Sequence, residues 1–269
     1  MTTLAISQHK GGTGKTTTTL NLGASLAQRG FRVLMVDLDP QADLSAGLGV
    51  VIDSTVGTSE PSLYRILATE QGSLSEVIVS TGVERLWLAA GTLDMAELEL
   101  SLAAQISRER ALQRALSTVS QQYDFILLDC PPSLGLLTIN ALVAAQQVIV
   151  PVQAEPRSVG ATTRILSVIS TLKRRMVLDD LRVLGLLLTM KNRTNVAREA
   201  ESVLRSTYGD LVLRTTIRNR ALLAEDVLYH APVLSFSPSS EPAQDYEALA
   251  SEVLERINMV KGEEVAHAG

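Results

Sequence analysis

Eight residues near the start of the chain, Lys10-Gly-Gly-Thr-Gly-Lys-Thr-Thr17, limit what it can fold into more than any other segment. Gly11, Gly12 and Gly14 let the backbone turn tightly and aim its amide groups at a common point. The stretch before them, Thr3-Leu-Ala-Ile-Ser-Gln8, reads as a short strand. The stretch after them, Lys15 to Arg29, carries Leu20, Ala24 and Ala27 at helical spacing, with Leu22 and Leu26 alongside and Gly30 as a stop. Strand, glycine turn and helix together form a frame for a phosphate group. The turn supplies N–H donors, the helix its dipole, Lys15 a point charge for β/γ-phosphates and Thr16 a hydroxyl for Mg²⁺. The pattern G-x-x-x-x-G-K-[ST] is met with His9 in the first glycine position, so the loop is a variant.

The rest of the chain continues the same rhythm. Strands are expected at Arg32–Asp37, Leu86–Ala90, Asp124–Asp129, Gln147–Pro151 and Val183–Thr189, several of them apolar runs of the kind a parallel strand covered on both faces shows. Between and after them, three helices are striped by Leu112/Ala115/Leu116/Val119, by Ile165/Ile169/Leu172/Met176 and by Tyr246/Leu249/Val253/Ile257. Residues 52–62, rich in Ser, Thr and Gly, read as a loop. The alternation predicts an α/β fold: one doubly wound, mostly parallel sheet flanked by helices. Ligands of such sheets bind at the carboxyl ends of the strands, where the glycine loop, Asp37–Gln41 and Asp129–Ser133 all fall. Nothing divides the chain, so residues 1–269 are expected to form a single domain with 258–269 as a flexible tail.

Composition narrows the partners. Apolar residues make up 46% and aromatics only 3%, so Leu, Val, Ile and Ala must fill the core. One cysteine, Cys130, leaves no internal disulfide or paired-cysteine metal site, and it is expected to behave as a buried small hydrophobe. No apolar run suits a spanning helix, and Met1-Thr2-Thr3 leads straight into the first strand, so a cytoplasmic protein is expected. The formal net charge of −5 hides an asymmetry. Segment 157–220 holds 13 Lys and Arg against 5 acids, a net of +8, leaving −13 for the remainder. Such a basic segment is an electrostatic footprint suited to a polyanion.

Lys10 before the paired glycines, together with Val36–Gln41 (VDLDPQ), Asp124–Leu142 (DFILLDCPPSLGLLTINAL), Pro151–Gln153 and Leu188–Met190, resembles the deviant Walker ATPases, and within them the ParA/Soj partition family. The resemblance runs from residue 3 to about residue 257. It implies a P-loop ATPase that uses ATP and Mg²⁺, with Lys10, Gly11, Gly12, Thr13, Gly14, Lys15, Thr16 and Thr17 at the nucleotide. It implies that Lys10 is the signature lysine that crosses to a partner's phosphates in an ATP-bound homodimer. Lys15 and Asp39 complete the catalytic set, Asp39 orienting the attacking water; Thr16 and Asp129 serve Mg²⁺, and Asp37 serves Mg²⁺ or the geometry of the switch loop. It further implies non-specific DNA as a partner, a ParB-like activating protein, and a nucleoid-associated location while plasmid or chromosomal DNA is segregated.

Two places depart from the family. Lys191-Asn192-Arg193 is one residue shorter than usual, with Arg193 matching a surface arginine the family uses on DNA. Ile217-Arg218-Asn219-Arg220 lacks the relatives' proline, and the family's second DNA-facing arginine falls at Leu222, with Arg218 and Arg220 the nearby candidates to replace it on DNA. The end of the chain, with one Lys, two Glu and no apolar face after Asn258, does not suit membrane targeting of the MinD kind. Only nine residues precede Lys10, so phosphate contact without sequence preference is expected. The same switch acting on a protein cargo, or an ATP-dependent ligase of the same superfamily, are the alternatives.

Overall fold

The computed structural model describes residues 1–50, 62–219 and 221–267. Apart from Ser62, the expected loop 52–62 lies outside them, as does Arg220. Among the described residues eight strands are present: β1 (Thr2–Ile6), β2 (Val33–Asp37), β3 (Ile78–Ser80), β4 (Leu86–Ala89), β5 (Phe125–Asp129), β6 (Gln147–Gln153), β7 (Arg182–Lys191) and β8 (Val212–Arg218). The helices are α1 (Lys15–Gln28), α2 (Asp43–Ala46), α3 (Leu63–Thr69), α4 (Met95–Ala103), α5 (Ala111–Ser117) and α6 (Leu136–Ala144). They continue with α7 (Ser158–Met176), α8 (Asn195–Tyr208), α9 (Asp226–Tyr229), α10 (Val233–Phe236) and α11 (Glu241–His267).

All strands join one sheet in the order β3-β4-β2-β5-β1-β6-β7-β8, parallel throughout except where β3 runs against β4. The predicted doubly wound sheet is therefore what the chain forms. Alternate residues of the central strands feed two separate cores. Ala5, Leu34, Val36, Ile126 and Leu128 pack on one side with Leu98, Leu112, Leu137, Ile165 and Leu204. Leu4, Ile6, Val33, Met35 and Leu127 pack on the other with Leu20, Leu26, Tyr246, Leu249 and Val253. Burial on both faces explains why the strand sequences read as unbroken apolar runs.

Register sets the functional edge. Ile6 and Asp37 both pair with Asp129, so β1, β2 and β5 end level with one another. Whatever follows Ile6, Asp37 and Asp129 must therefore meet at that edge.

Two strands go beyond the sequence expectations. β3 is three residues long and joins as an antiparallel edge strand. β8, Val-Leu-Arg-Thr-Thr-Ile-Arg, lies within the basic segment and forms the opposite edge. The backbone is helical on to His267, through most of the stretch expected as a tail. Among the described residues no helix is long and apolar enough to cross a membrane.

Candidate functional site

Between β1 and α1 the chain makes the turn that its glycines foretold. Gly12 and Gly14 have φ of 68° and 81°, left-handed values that a side chain would strain. Gly14 opens α1 without a side-chain cap, leaving the first helical amides for a ligand. Lys15 is buried at 6% exposure in this turn, while Thr16 and Thr17 are partly exposed. Two strand-end side chains brace the loop from outside. Thr189 Oγ1 donates to the Thr13 carbonyl at 2.8 Å, and Gln153 Nε2 donates to the Gly12 carbonyl at 2.7 Å.

Lys10 sits at the mouth of the loop. Its Nζ lies 2.5 Å from Gln153 Oε1 and 2.8 Å from Glu155 Oε2, with a third of its side chain exposed. The lysine is thus held by its own chain just beyond the end of β6. His9 beside it is kept below its ordinary pKa by burial first, then by the charges of Arg164 and Lys15. Position 9 therefore stays neutral near pH 7.

The three aspartates meet where register required, in different surroundings. Asp37 accepts Ser45 Oγ at 2.6 Å and Ser45 N at 3.0 Å on one oxygen, and Asp39 N at 3.2 Å on the other. Burial lifts its pKa to about 6 against these hydrogen bonds. Its carboxylate thus shapes the chain between Asp39 and α2, and of the two duties expected of it, metal and loop geometry, these contacts carry the second. Asp39, 8% exposed, accepts Gln41 N on Oδ1 at 3.0 Å. Asp129 is fully buried; its Oδ1 accepts Thr19 Oγ1 at 3.2 Å. Its Oδ2 has no hydrogen-bond partner. Burial first, then Asp37, raises the Asp129 carboxyl well above the usual range.

An orphaned buried carboxylate oxygen close to a helix-opening threonine fits a hard divalent cation. Among the described residues no group of three His, Cys, Asp or Glu could chelate a metal unaided. A Mg²⁺ here would depend on phosphate oxygens and water, as that ion commonly does. Cys130, next along, is buried, and burial pushes its thiol up to about 12, which removes it as a nucleophile.

Beside the loop opens a cavity of about 390 Å³ lined by Gly14, Thr16, Thr17, Thr189, Met190 and Asn219, among others. Its position at the start of α1 and its mixed lining suit a nucleobase with its ribose.

The predicted DNA-facing arginines divide. Arg193 is 85% exposed, its nearest carboxylate, Glu241, being 3.9 Å away. Arg218 instead meets Asp245 at 2.7 Å and Glu241 at 2.7 Å, and its backbone amide donates to Asp245 as well. Its guanidinium is engaged in joining β8 to α11. Arg157, Arg164, Arg174 and Arg175 around α7 are exposed. The sequence singled out the loop and the aspartates but gave no role to Glu155, Thr19 or Ser45. Gln153 and Thr189 lay in the quoted segments Pro151–Gln153 and Leu188–Met190 only as marks of resemblance.

Known proteins resemble this chain in sequence and in fold. Residues 1–183 match the family model described as an AAA domain. The sporulation initiation inhibitor protein Soj of Bacillus subtilis (strain 168) is 40% identical over 251 residues, 93% of this chain and 97% of that protein. The chromosome-partitioning ATPase Soj of Thermus thermophilus is 39% identical over 255 residues, 94% of this chain and 96% of that one. A solved structure, cobyrinic acid a,c-diamide synthase from Mycobacterium smegmatis with bound ATP analog and magnesium, matches with a TM-score of 0.81 at 33% identity, covering 96% of each chain.

Proposed function

The chain belongs to the ParA/Soj family of P-loop ATPases, and on that premise we propose that it is an ATP-gated switch: two copies close around ATP, bind DNA without sequence preference, and let go when a ParB-like partner stimulates hydrolysis. The cycle would segregate plasmid or chromosomal DNA. ATP and Mg²⁺ are the ligands the site fits. Thr16 and Asp129 would hold the Mg²⁺, which would supply charge neutralisation to the phosphate oxygens. Lys15 would lie against the β/γ-phosphates and the loop amides around them. Asp39 would orient the attacking water.

The observation that carries the two-chain reading is Lys10. It stands outside its own phosphate nest, tethered to Gln153 and Glu155. A pair this exposed contributes on the order of 0–1 kcal/mol, so the lysine is readily surrendered to a stronger anion. A partner's triphosphate is such an anion. A cation supplied across the interface where phosphoryl transfer gathers negative charge accelerates hydrolysis, as an arginine finger does. Arg193 and the exposed arginines of α7 would then meet DNA phosphates.

The test is DNA binding by the full chain with ATP, ADP or no nucleotide. Binding should require ATP and Mg²⁺ and should vanish in Lys15→Ala and Lys10→Ala. Full ATP-dependent binding by Lys10→Ala would overturn the proposal. The match to a protein named as a synthetase favours a second reading, an ATP-dependent metabolic ligase. ATPase activity stimulated by DNA, without a small-molecule acceptor, separates the two.

A further inference from the structure

Helix α4 carries a carboxylate that the nucleotide site does not account for. Glu99 Oε1 accepts the backbone amide of Leu137 at 3.3 Å, at the start of α6. The neighbouring Gly135 has φ −76° and ψ −172°, a conformation open to any residue, so the backbone does not require glycine there. The space a side chain would take is filled by the Glu99 carboxylate: a Cβ on residue 135 would overlap Glu99 Oε1 and lie 2.9 Å from Glu99 Cδ, so a side chain there would displace that carboxylate. The partial positive charge of the helix start, about half an elementary charge, stabilises that carboxylate.

The seat lies at the end of the loop that follows Asp129. Residues 130–135 begin at that buried aspartate and pass Pro132, whose Cβ would be 4.0 Å from a Cβ on Gly11. Within the loop, Gly135 N donates to Ser133 Oγ at 3.3 Å, and the Ser133 carbonyl accepts Thr138 Oγ1 at 2.9 Å. Glu99 fixes the far end. It also lines a cavity of about 290 Å³ together with Asp39, Pro40, Pro131, Pro132 and Ser133. A space of that size holds several waters at roughly 30 Å³ each.

We infer that Glu99 is a positioning residue for ATP hydrolysis. Without touching phosphate, it fixes the far end of the 130–135 loop and lines, together with Asp39, the cavity beside that loop. An in-line attack tolerates little displacement, since a misplacement of about 1 Å costs on the order of 100-fold in rate. Lys15, Thr16 and the loop amides that hold nucleotide are untouched by Glu99. Its loss should therefore lower turnover and spare binding. The inference needs ATP hydrolysis alone and is independent of dimerisation and DNA.

The experiment compares steady-state ATPase rates and fluorescent-nucleotide affinity for the full chain with Mg²⁺. Glu99→Ala should lower kcat about 10-fold with KM and nucleotide Kd within about 2-fold. Glu99→Gln keeps an acceptor for Leu137 N and should retain at least about half the rate. Gly135→Ala, which evicts the carboxylate, should reproduce the loss. The double variant should fall no further than Gly135→Ala alone, because the clash has gone. Multiplied losses in the double variant, an unchanged kcat in Glu99→Ala, or a KM that rises as kcat falls would overturn the inference. Gly135→Ala displaces the carboxylate without truncating Glu99, so if Glu99→Ala unfolds the chain, an unchanged kcat in Gly135→Ala overturns the inference equally.

Discussion

Three aspartates at one sheet edge live under three electrostatic conditions, and this division assigns their work. Asp37 has both oxygens engaged by Ser45 and the Asp39 amide, and it gives the loop after β2 its shape. Asp129 keeps an orphaned oxygen in full burial, a cost of roughly 1–3 kcal/mol that a cation nearby would relieve. Asp39 has one oxygen on the Gln41 amide and borders the cavity shared with Glu99. Replacing Asp39 with Ala should therefore leave ATP affinity within a few-fold and cut hydrolysis by at least about 100-fold. Single-turnover hydrolysis measured beside nucleotide binding checks this; hydrolysis at the parental rate would remove Asp39 from the mechanism. These residues were legible in the sequence because each sits at, or two residues past, the end of a strand whose apolar run marks it. The seat of Lys10 was not. Gln153 and Glu155 lie 143 and 145 positions away, and only the pairing of β1 with β6 brings that distance to hydrogen-bond length.

At the scale of elements, β8 poses a problem that α11 solves. An edge strand presents unpaired amides, which invite association with other chains. Here Glu252, 4% exposed on α11, accepts the amides of Arg214 and Thr215 at 2.8 Å each, and Asp245 takes that of Arg218. Burial on its own would raise the Glu252 carboxyl, but those two amides, with Thr215 Oγ1 and the charge of Arg256, hold it below its ordinary value. A carboxyl with a depressed folded-state pKa stabilises the fold above its unfolded value of 4.5, and this is lost as pH falls through the folded one. Glu252→Gln should then cost about 1–3 kcal/mol at pH 7, and the gap to the parent should narrow as pH falls below 4.5 and the carboxylate takes up its proton. Urea unfolding at both pH values measures it; a gap that persists in acid would mean that packing, not charge, carries the effect. The same contact explains why β8 escaped the sequence. Its mixture of Arg and Thr with apolar residues matches no buried strand, since its partners are carboxylates on a helix 27 to 38 residues on. The central strands were readable because both their faces are apolar.

At the scale of the molecule, the charge asymmetry of +8 against −13 survives folding only in part. Arg205 and Lys191 share Glu201, Arg214 meets Glu252 and Glu255, and Arg218 is clamped by Asp245 and Glu241. These cations hold β8 and α8 in place and have little left for a polyanion. The exposed arginines of α7 are different. At 100° per residue, Arg157, Arg164 and Arg175 fall within about 20° of one another, forming a stripe roughly 27 Å long. Arg164 within that stripe is near enough to the nucleotide loop for its charge to act on His9. Each phosphate contact made by such a stripe contributes about 0.9 to the slope of log affinity against log salt. Replacing Arg157, Arg164 and Arg175 together by Ala should therefore weaken ATP-dependent DNA binding and flatten that slope by about 2–3, equally for any DNA sequence. Arg218→Ala should leave the slope unchanged and lower the melting temperature instead, because its partners are carboxylates of the same chain. Titrating both variants against DNA across a salt series decides between them. A slope that falls with Arg218 and holds with the α7 arginines would move the DNA face from α7 to β8.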